Sequence, residues 1–299
     1  MRLNLKAEIM RKVFILLEGG INMAKEMKIL YSENENIINM SKQRFMNLFL
    51  INITVDGKFI PLVFDTGASI TAISESVADS IGAIPLKDKI TVGGNTGKIE
   101  TVSKYMIPEF EIGDNTIKNL IVIVVPDNQL DFGFDKEGNS LKVNGFLGWD
   151  IISNFKWTIN PHTRKFIIEK PQWYENKGLL YWDNMPIINA QYDNNCMYFG
   201  FDSGNTESMF SKEFIPFLET KHENKDDIAG VGGIIKEDVY TMGNIKLIIS
   251  DKSIELMNIS ALKRDIFPNT HKAMGLLAVD IIQNHGCIID FMNQDFRLF

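Results

Sequence analysis

The sequence is short of several things that would each have named a class of protein. It has two cysteines, Cys196 and Cys287, in 299 residues, too few for a disulfide framework, and they read as buried thiols rather than a bridge. Its four histidines, His162, His222, His271 and His285, are scattered, with no His-Glu-x-x-His or Cys-x-x-Cys spacing, so no metal site is predicted. Basic excess is missing too. A net charge of -7 argues against a surface built to neutralise nucleic-acid phosphates or anionic lipid, and no nucleic-acid or membrane partner is expected. No stretch approaches the eighteen or so uncharged apolar residues that cross a bilayer. The apolar run Val13 to Leu17 follows basic residues, but it is short and meets Glu18 instead of a small-residue cleavage site, so a helix ending at Gly19-Gly20 is predicted. By default, the chain is assigned to the cytoplasm.

What is present is ordinary globular composition, 45% hydrophobic and 23% charged, enough for one large or two medium domains. Within it, one pattern occurs twice. "PLVFDTGASITAIS" at Pro61 to Ser74 and "YFGFDSGNTESMFS" at Tyr198 to Ser211 each run from apolar residues through Phe-Asp-(Thr/Ser)-Gly to further hydroxyls. Asp65 and Asp202 stand 137 positions apart, nearly half the chain. Other elements recur in the same order. The glycine pairs Gly93-Gly94 and Gly232-Gly233 lie between β-branched residues as hairpin tips would. "MIPEFEIGDNTIKNLIVIVV" and "TMGNIKLIISDKSIELMNIS" then read as strand pairs broken by turns. Last come "NGFLGWDII" and "AMGLLAVDII", each followed by two closing strands, with Asp150 and Asp280 lying 85 and 78 residues beyond Asp65 and Asp202.

The reading divides the chain into an N-terminal extension at 1–44, predicted helical, and two halves at 45–172 and 173–299. The helical segments are "LKAEIMRKVFILLE" and "INMAKEMKILYS". The boundary between halves falls at "KPQWYENKG", where Pro171 and Gly178 interrupt strand-like regions.

The order Asp-(Thr/Ser)-Gly, Gly-rich hairpin, strand pair and apolar-apolar-Gly resembles the pepsin and retropepsin superfamily of aspartic peptidases, over about 250 residues and in two copies. The resemblance implies an all-β, bilobal fold of two pseudo-twofold-related retropepsin-like β-barrel lobes. It implies an aspartic endopeptidase without cofactor, acting on a peptide or protein as a monomer with both aspartates on one chain. Asp65 and Asp202 would be the catalytic dyad. Thr66 and Ser203 would bridge the two loops through their hydroxyls, and Ser69 and Thr206 would hydrogen-bond the outer carboxylate oxygens. Gly93, Gly94, Gly232 and Gly233 would form two flap tips, and residues 1–44 a pro-segment-like cover or a plain extension.

Residue chemistry stands beside that resemblance. Hydrolysis without a metal or nucleophilic side chain needs one group to take a proton from water and another to give one to the carbonyl, which two adjacent carboxyls can do. Gly67 and Gly204 would allow the close backbone approach that holds each carboxylate at a strand end. Ala278 replaces the first half's Gly148, and Asn205 replaces Ala68, so the second half is the less regular. Trp149, Trp157, Trp173 and Trp182 read as packing residues. Two other classes remain: an inactive peptide-binding module of the same fold, and an actin- or sugar-kinase-like protein, whose two Asp-x-Gly turns hold phosphates. Against the latter, no Gly-rich adenosine motif is found.

Overall fold

The computed structural model describes residues 26–42, 47–93, 99–134, 138, 140–176, 180–182, 185–218, 221–230, 233–266 and 273–299. Strands dominate them, joined by turns whose residues fit their geometry. Phe49–Val55 buries every second residue, Phe49, Ile51, Ile53 and Val55, as a strand with one face on a core does. It returns through Asp56 and Gly57, both at positive φ (46° and 76°), into Lys58–Phe64. Two consecutive left-handed residues make the tight turn whose twist matches paired strands. The second half is built likewise: Pro186–Tyr192 turns through Asp193 and Asn194, at φ 46° and 61°, into Asn195–Phe201. Each hairpin delivers a phenylalanine and then an aspartate.

Those two strand ends are held by matching crossovers. Gly145–Leu147 lies parallel to Lys58–Phe64 and antiparallel to Ala72–Ser74. Gly275–Leu277 lies parallel to Asn195–Phe201 and antiparallel to Met209–Phe210. Beyond them stand two long hairpins. Ile84–Gly93 pairs with Ile99–Ile112, closing at Gly93 opposite Ile99, and His222–Gly230 pairs with Gly233–Thr241, closing at Gly230 opposite Gly233. The expected strand pairs are Ile99–Ile112 with Asn115–Val125, and Ile245–Ile249 with Lys252–Leu256. The fold is all-β and bilobal.

A five-stranded sheet joins the halves, in the order Asn36–Asn39, Lys165–Glu169, Lys156–Asn160, Cys287–Asp290 and Asp295–Leu298. Lys156–Asn160 from the first half pairs with the chain's last hairpin, Ile159 opposite Cys287 and Lys156 opposite Asp290. Its buried aromatic residues carry the strands that bear the aspartates. Phe64 packs edge-on to Trp157 at 4.9 Å and against Phe166 at 5.3 Å, and Phe201 packs edge-on to Phe296 at 5.0 Å. Each phenylalanine is fully buried, worth about 1.5–3 kcal/mol. The residue beside each aspartate is therefore anchored in the core.

Three expectations need correction. Within the segment predicted helical at 21–32, Lys28–Leu30 is a strand paired with Asn115–Val125, and Asn36–Asn39 and Ser41–Lys42 are strands as well. Open sheet edges offer these residues backbone partners, which outweighs helix propensities of less than about 1 kcal/mol per residue. Residues 5–18, the other predicted helix, lie outside the described residues. Cys196 is exposed, because alternation after the Asp193-Asn194 turn points it outward, while Cys287 is buried and both thiols are free. Trp173 is 69% exposed, whereas Trp149 and Trp157 are core residues and Trp182 stacks on Trp149 with ring centroids 5.9 Å apart. No helix among the described residues is long and apolar enough to cross a membrane.

Candidate active site

Asp65 and Asp202 follow directly on the two anchored strands, and their backbone N–H groups donate to Leu147 O at 3.0 Å and Leu277 O at 2.9 Å. Their side chains, 9% and 7% exposed as residues, meet where the two loops meet. Reciprocal hydrogen bonds lock the loops together. Thr66 Oγ1 donates to Phe201 O at 2.8 Å and accepts Ser203 N–H at 2.9 Å. Ser203 Oγ donates to Phe64 O at 2.7 Å and accepts Thr66 N–H at 3.1 Å. All four bonds are buried, so none competes with water.

The glycines are a steric requirement. A Cβ on Gly67 would come within 2.6 Å of Asp202 Oδ2, and a Cβ on Gly204 within 2.5 Å of Asp65 Oδ1. Any side chain there would displace the opposite carboxyl. The two carboxyls hydrogen-bond each other, and Asp65 is held well above the usual carboxylate range, first by burial and then by the charge of Asp202. Against this, Asp65 Oδ1 accepts Gly67 N–H at 2.9 Å and Ala68 N–H at 3.0 Å. Asp202 Oδ1 accepts Gly204 N–H at 2.9 Å. Such a pair can carry one shared proton and present an acid and a base side by side.

Of the residues expected around this pair, Thr66, Gly67, Ser203 and Gly204 are brought together as described. Ser69 and Thr206 are not. Ser69 is exposed and hydrogen-bonds neither carboxyl, and Thr206 engages only through its N–H, which donates to Asn205 Oδ1 at 3.1 Å. The inward position is one residue earlier. Ala68 gives its N–H to Asp65, and the carbonyls of Ala68 and Asn205 accept Trp149 N–H at 2.7 Å and Val279 N–H at 3.1 Å. Gly93 and Gly233 end strands of the two long hairpins, while Gly94 and Gly232 lie outside the described residues. The methyl of Ala278 is accommodated: its N–H donates to Ser208 Oγ at 3.0 Å, as Gly148 N–H donates to Thr71 Oγ1 at 3.0 Å.

Sequence reasoning missed the carbonyls of Phe64 and Phe201, which leave no residue-type signal. It also missed Thr71 and Ser208, for which a signal existed, since both stand six residues after an aspartate. Among the described residues, no group of three or more His, Cys, Asp or Glu could hold a metal ion.

Comparison with known proteins agrees with this architecture. Both likenesses found are to aspartic proteases, one of sequence and one of fold. Residues 51–151 match the family described as "Aspartyl protease". A solved structure, the aspartic proteinase from Irpex lacteus, superposes with a TM-score of 0.54 at 13% identity, covering 89% of this chain and 97% of that one, a likeness of fold alone. No curated protein sequence matches. Together these give the chain a likeness of fold to an aspartic proteinase over most of its length and a sequence match to the aspartyl protease family over residues 51–151.

Proposed function

We propose that the protein is an aspartic endopeptidase whose catalytic dyad is Asp65 and Asp202, both from one chain. The observation that carries this reading is the mutual contact of the two buried carboxyls, held face to face by the Thr66 and Ser203 bonds. A buried like-charged pair is costly. A groove that only bound peptides would not need it.

The chemistry balances with one shared proton, a behaviour for which aspartic proteases are the type case. The ionised carboxyl takes a proton from a water whose oxygen attacks the peptide carbonyl carbon, and the neutral carboxyl gives its proton to the carbonyl oxygen. On collapse the C–N bond breaks, the amine takes the proton drawn from water, and a hydroxyl proton of the diol returns to the dyad, which ends as it began. Substrate would lie extended across the junction of lobes at 45–172 and 173–299. The two long hairpins would close over it and exclude water, with Gly93, Gly94, Gly232 and Gly233 at their tips.

The test is substitution of each aspartate by asparagine, assayed on a peptide library with and without a statine-type transition-state mimic. Each single variant should lose at least about 10²–10⁴-fold in turnover, and the double variant should be hardly worse. Retention of most activity by D202N would point to a site shared between two copies of the first half. Mixing the single variants should restore nothing, and recovered activity would overturn the single-chain site.

A further inference from the structure

Each half contains a second aspartate whose hydrogen bonds go to neither dyad carboxyl. In the first, Thr71 Oγ1 donates to Asp150 Oδ1 at 2.7 Å while accepting the N–H of Gly148 at 3.0 Å, and Thr71 N–H reaches both Asp150 oxygens at 3.0 Å. Ile151 N–H adds a further bond to Oδ1 at 3.0 Å. In the second half, Ser208 Oγ donates to Asp280 Oδ1 at 2.6 Å while accepting Ala278 N–H at 3.0 Å, and Ser208 N–H donates to Oδ2 at 2.8 Å. Thr71 and Ser208 are 1% and 3% exposed.

The connectivity gives these contacts a consequence at the dyad. The residue before Gly148 is Leu147, whose carbonyl receives Asp65 N–H, and the residue before Ala278 is Leu277, whose carbonyl receives Asp202 N–H. Both ends of each dyad loop, 65–71 and 202–208, are thus tied to one short segment. At the far end the tie passes through a carboxyl. We propose that Asp150 and Asp280 are positioning residues for the dyad, each fixing its loop through a hydroxyl–carboxylate latch and thereby setting the separation of Asp65 and Asp202. This rests on the functional reading above.

The residue types follow from donor counting. The hydroxyl accepts a backbone N–H, so its own proton must go to an acceptor, and the N–H of the same residue converges on that acceptor too. A carboxylate offers two acceptor oxygens, whereas an amide offers one oxygen and a donor that would oppose a donor. The latches are unequal in this respect. At Asp150 every donor reaches Oδ1, so an asparagine oxygen there keeps those bonds, but Thr71 N–H, 3.0 Å from Oδ2 as well, would then face the amide nitrogen. At Asp280 the donors divide between Oδ1 and Oδ2, so asparagine must lose one.

The experiment compares D150N, D280N, S208A, S208T and T71S with the parent in the full chain. It measures kcat and KM on a peptide the parent cleaves, and follows the titration of the Asp65 and Asp202 carboxyls by ¹³C NMR. D280N and S208A should lower kcat about 10–100-fold with KM within about twofold, because small misplacements of reacting groups are costly. Both should draw the two apparent dyad pKa values together, since a wider separation weakens the coupling. D150N should lower kcat too, by less than D280N because its donors all still reach Oδ1, and the hydroxyl-keeping variants S208T and T71S should stay near the parent. Unchanged kcat and dyad titration in D280N and S208A, with only a lower Tm, would overturn the proposal. Should D280N fail to fold, S208A and S208T carry the same comparison. Should the parent cleave nothing, the functional reading fails by itself, and the NMR titration still decides whether the latches position the carboxyls.

Discussion

Replacing Thr66 by valine tests the interlocking of the two loops without relying on activity. Valine keeps the shape of threonine and removes only Oγ1, which makes two bonds: it donates to Phe201 O and accepts Ser203 N–H. Thr66, Phe201 and Ser203 are all 0% exposed, so water cannot replace the lost partner. Leaving a buried donor or acceptor unsatisfied costs about 1–3 kcal/mol, hence about 2–6 kcal/mol for the pair. Serine at the same position keeps the hydroxyl and loses one methyl group, worth about 1 kcal/mol. In urea unfolding, with a slope of about 3 kcal/mol per molar, T66V should shift the midpoint down by about 1–2 M and T66S by a few tenths. A T66V midpoint within the error of the parent, or equal to that of T66S, would refute the claim that these bonds hold the loops together.

Two more expectations concern buried carboxylates. Burial raises the pKa of Asp65, Asp280 and Asp290, and lifts Asp150 from 3.8 to about 6. Acids raised on folding contribute stability that is fully present below about pH 4 and lost as pH rises through their folded values, so thermal unfolding should occur at a higher temperature at pH 4.5 than at pH 7.5. Asp150 alone contributes about 2 kcal/mol to that difference, part of its stabilisation being already lost at pH 4.5, and an equal or higher midpoint at pH 7.5 would refute it. The second expectation concerns the segment between the halves, where Tyr174 OH donates to Asp295 Oδ2 at 2.6 Å and Asn293 Nδ2 donates to Gln172 O at 2.8 Å. Asp295 is 0% exposed and its Oδ2 also accepts from Arg297 Nε at 2.9 Å, so Y174F removes one of several bonds to a charged group and should cost about 1.5–3 kcal/mol in urea unfolding, and a variant as stable as the parent would show the segment is not held there.

The strand pairs near the aspartates were legible because local signals there agree with the fold: a Gly-Asp-Asn turn, alternating strands, and apolar residues up to each aspartate. The sheet that joins the halves was not. Alternation at Lys156–Asn160 and the apolar run that opens Cys287–Asp290 mark each as a strand, yet nothing local says that Ile159 faces Cys287, which lies 128 residues away. The same limit explains the first segment. "MKILYS" satisfies a helix or an edge strand, and only the free edge of Asn115–Val125 decides in favour of Lys28–Leu30 as a strand.

At the candidate site, legibility follows how directly a residue type answers a constraint. Gly67 and Gly204 were readable because a close approach admits no other residue, and the structure leaves no room for a Cβ at either. The hydroxyls were harder, because each half offers three within six residues of its aspartate: Thr66, Ser69 and Thr71, then Ser203, Thr206 and Ser208. Between the aspartate and the next strand, the chain follows neither the period of a strand nor that of a helix, so spacing cannot tell which hydroxyls turn inward. Burial separates them: Thr66, Thr71, Ser203 and Ser208 are at most 3% exposed, while Ser69 is exposed and Thr206 half-buried. A buried hydroxyl must find both an acceptor and a donor, and those requirements lead to Phe64, Phe201, Asp150 and Asp280, the residues that complete the site.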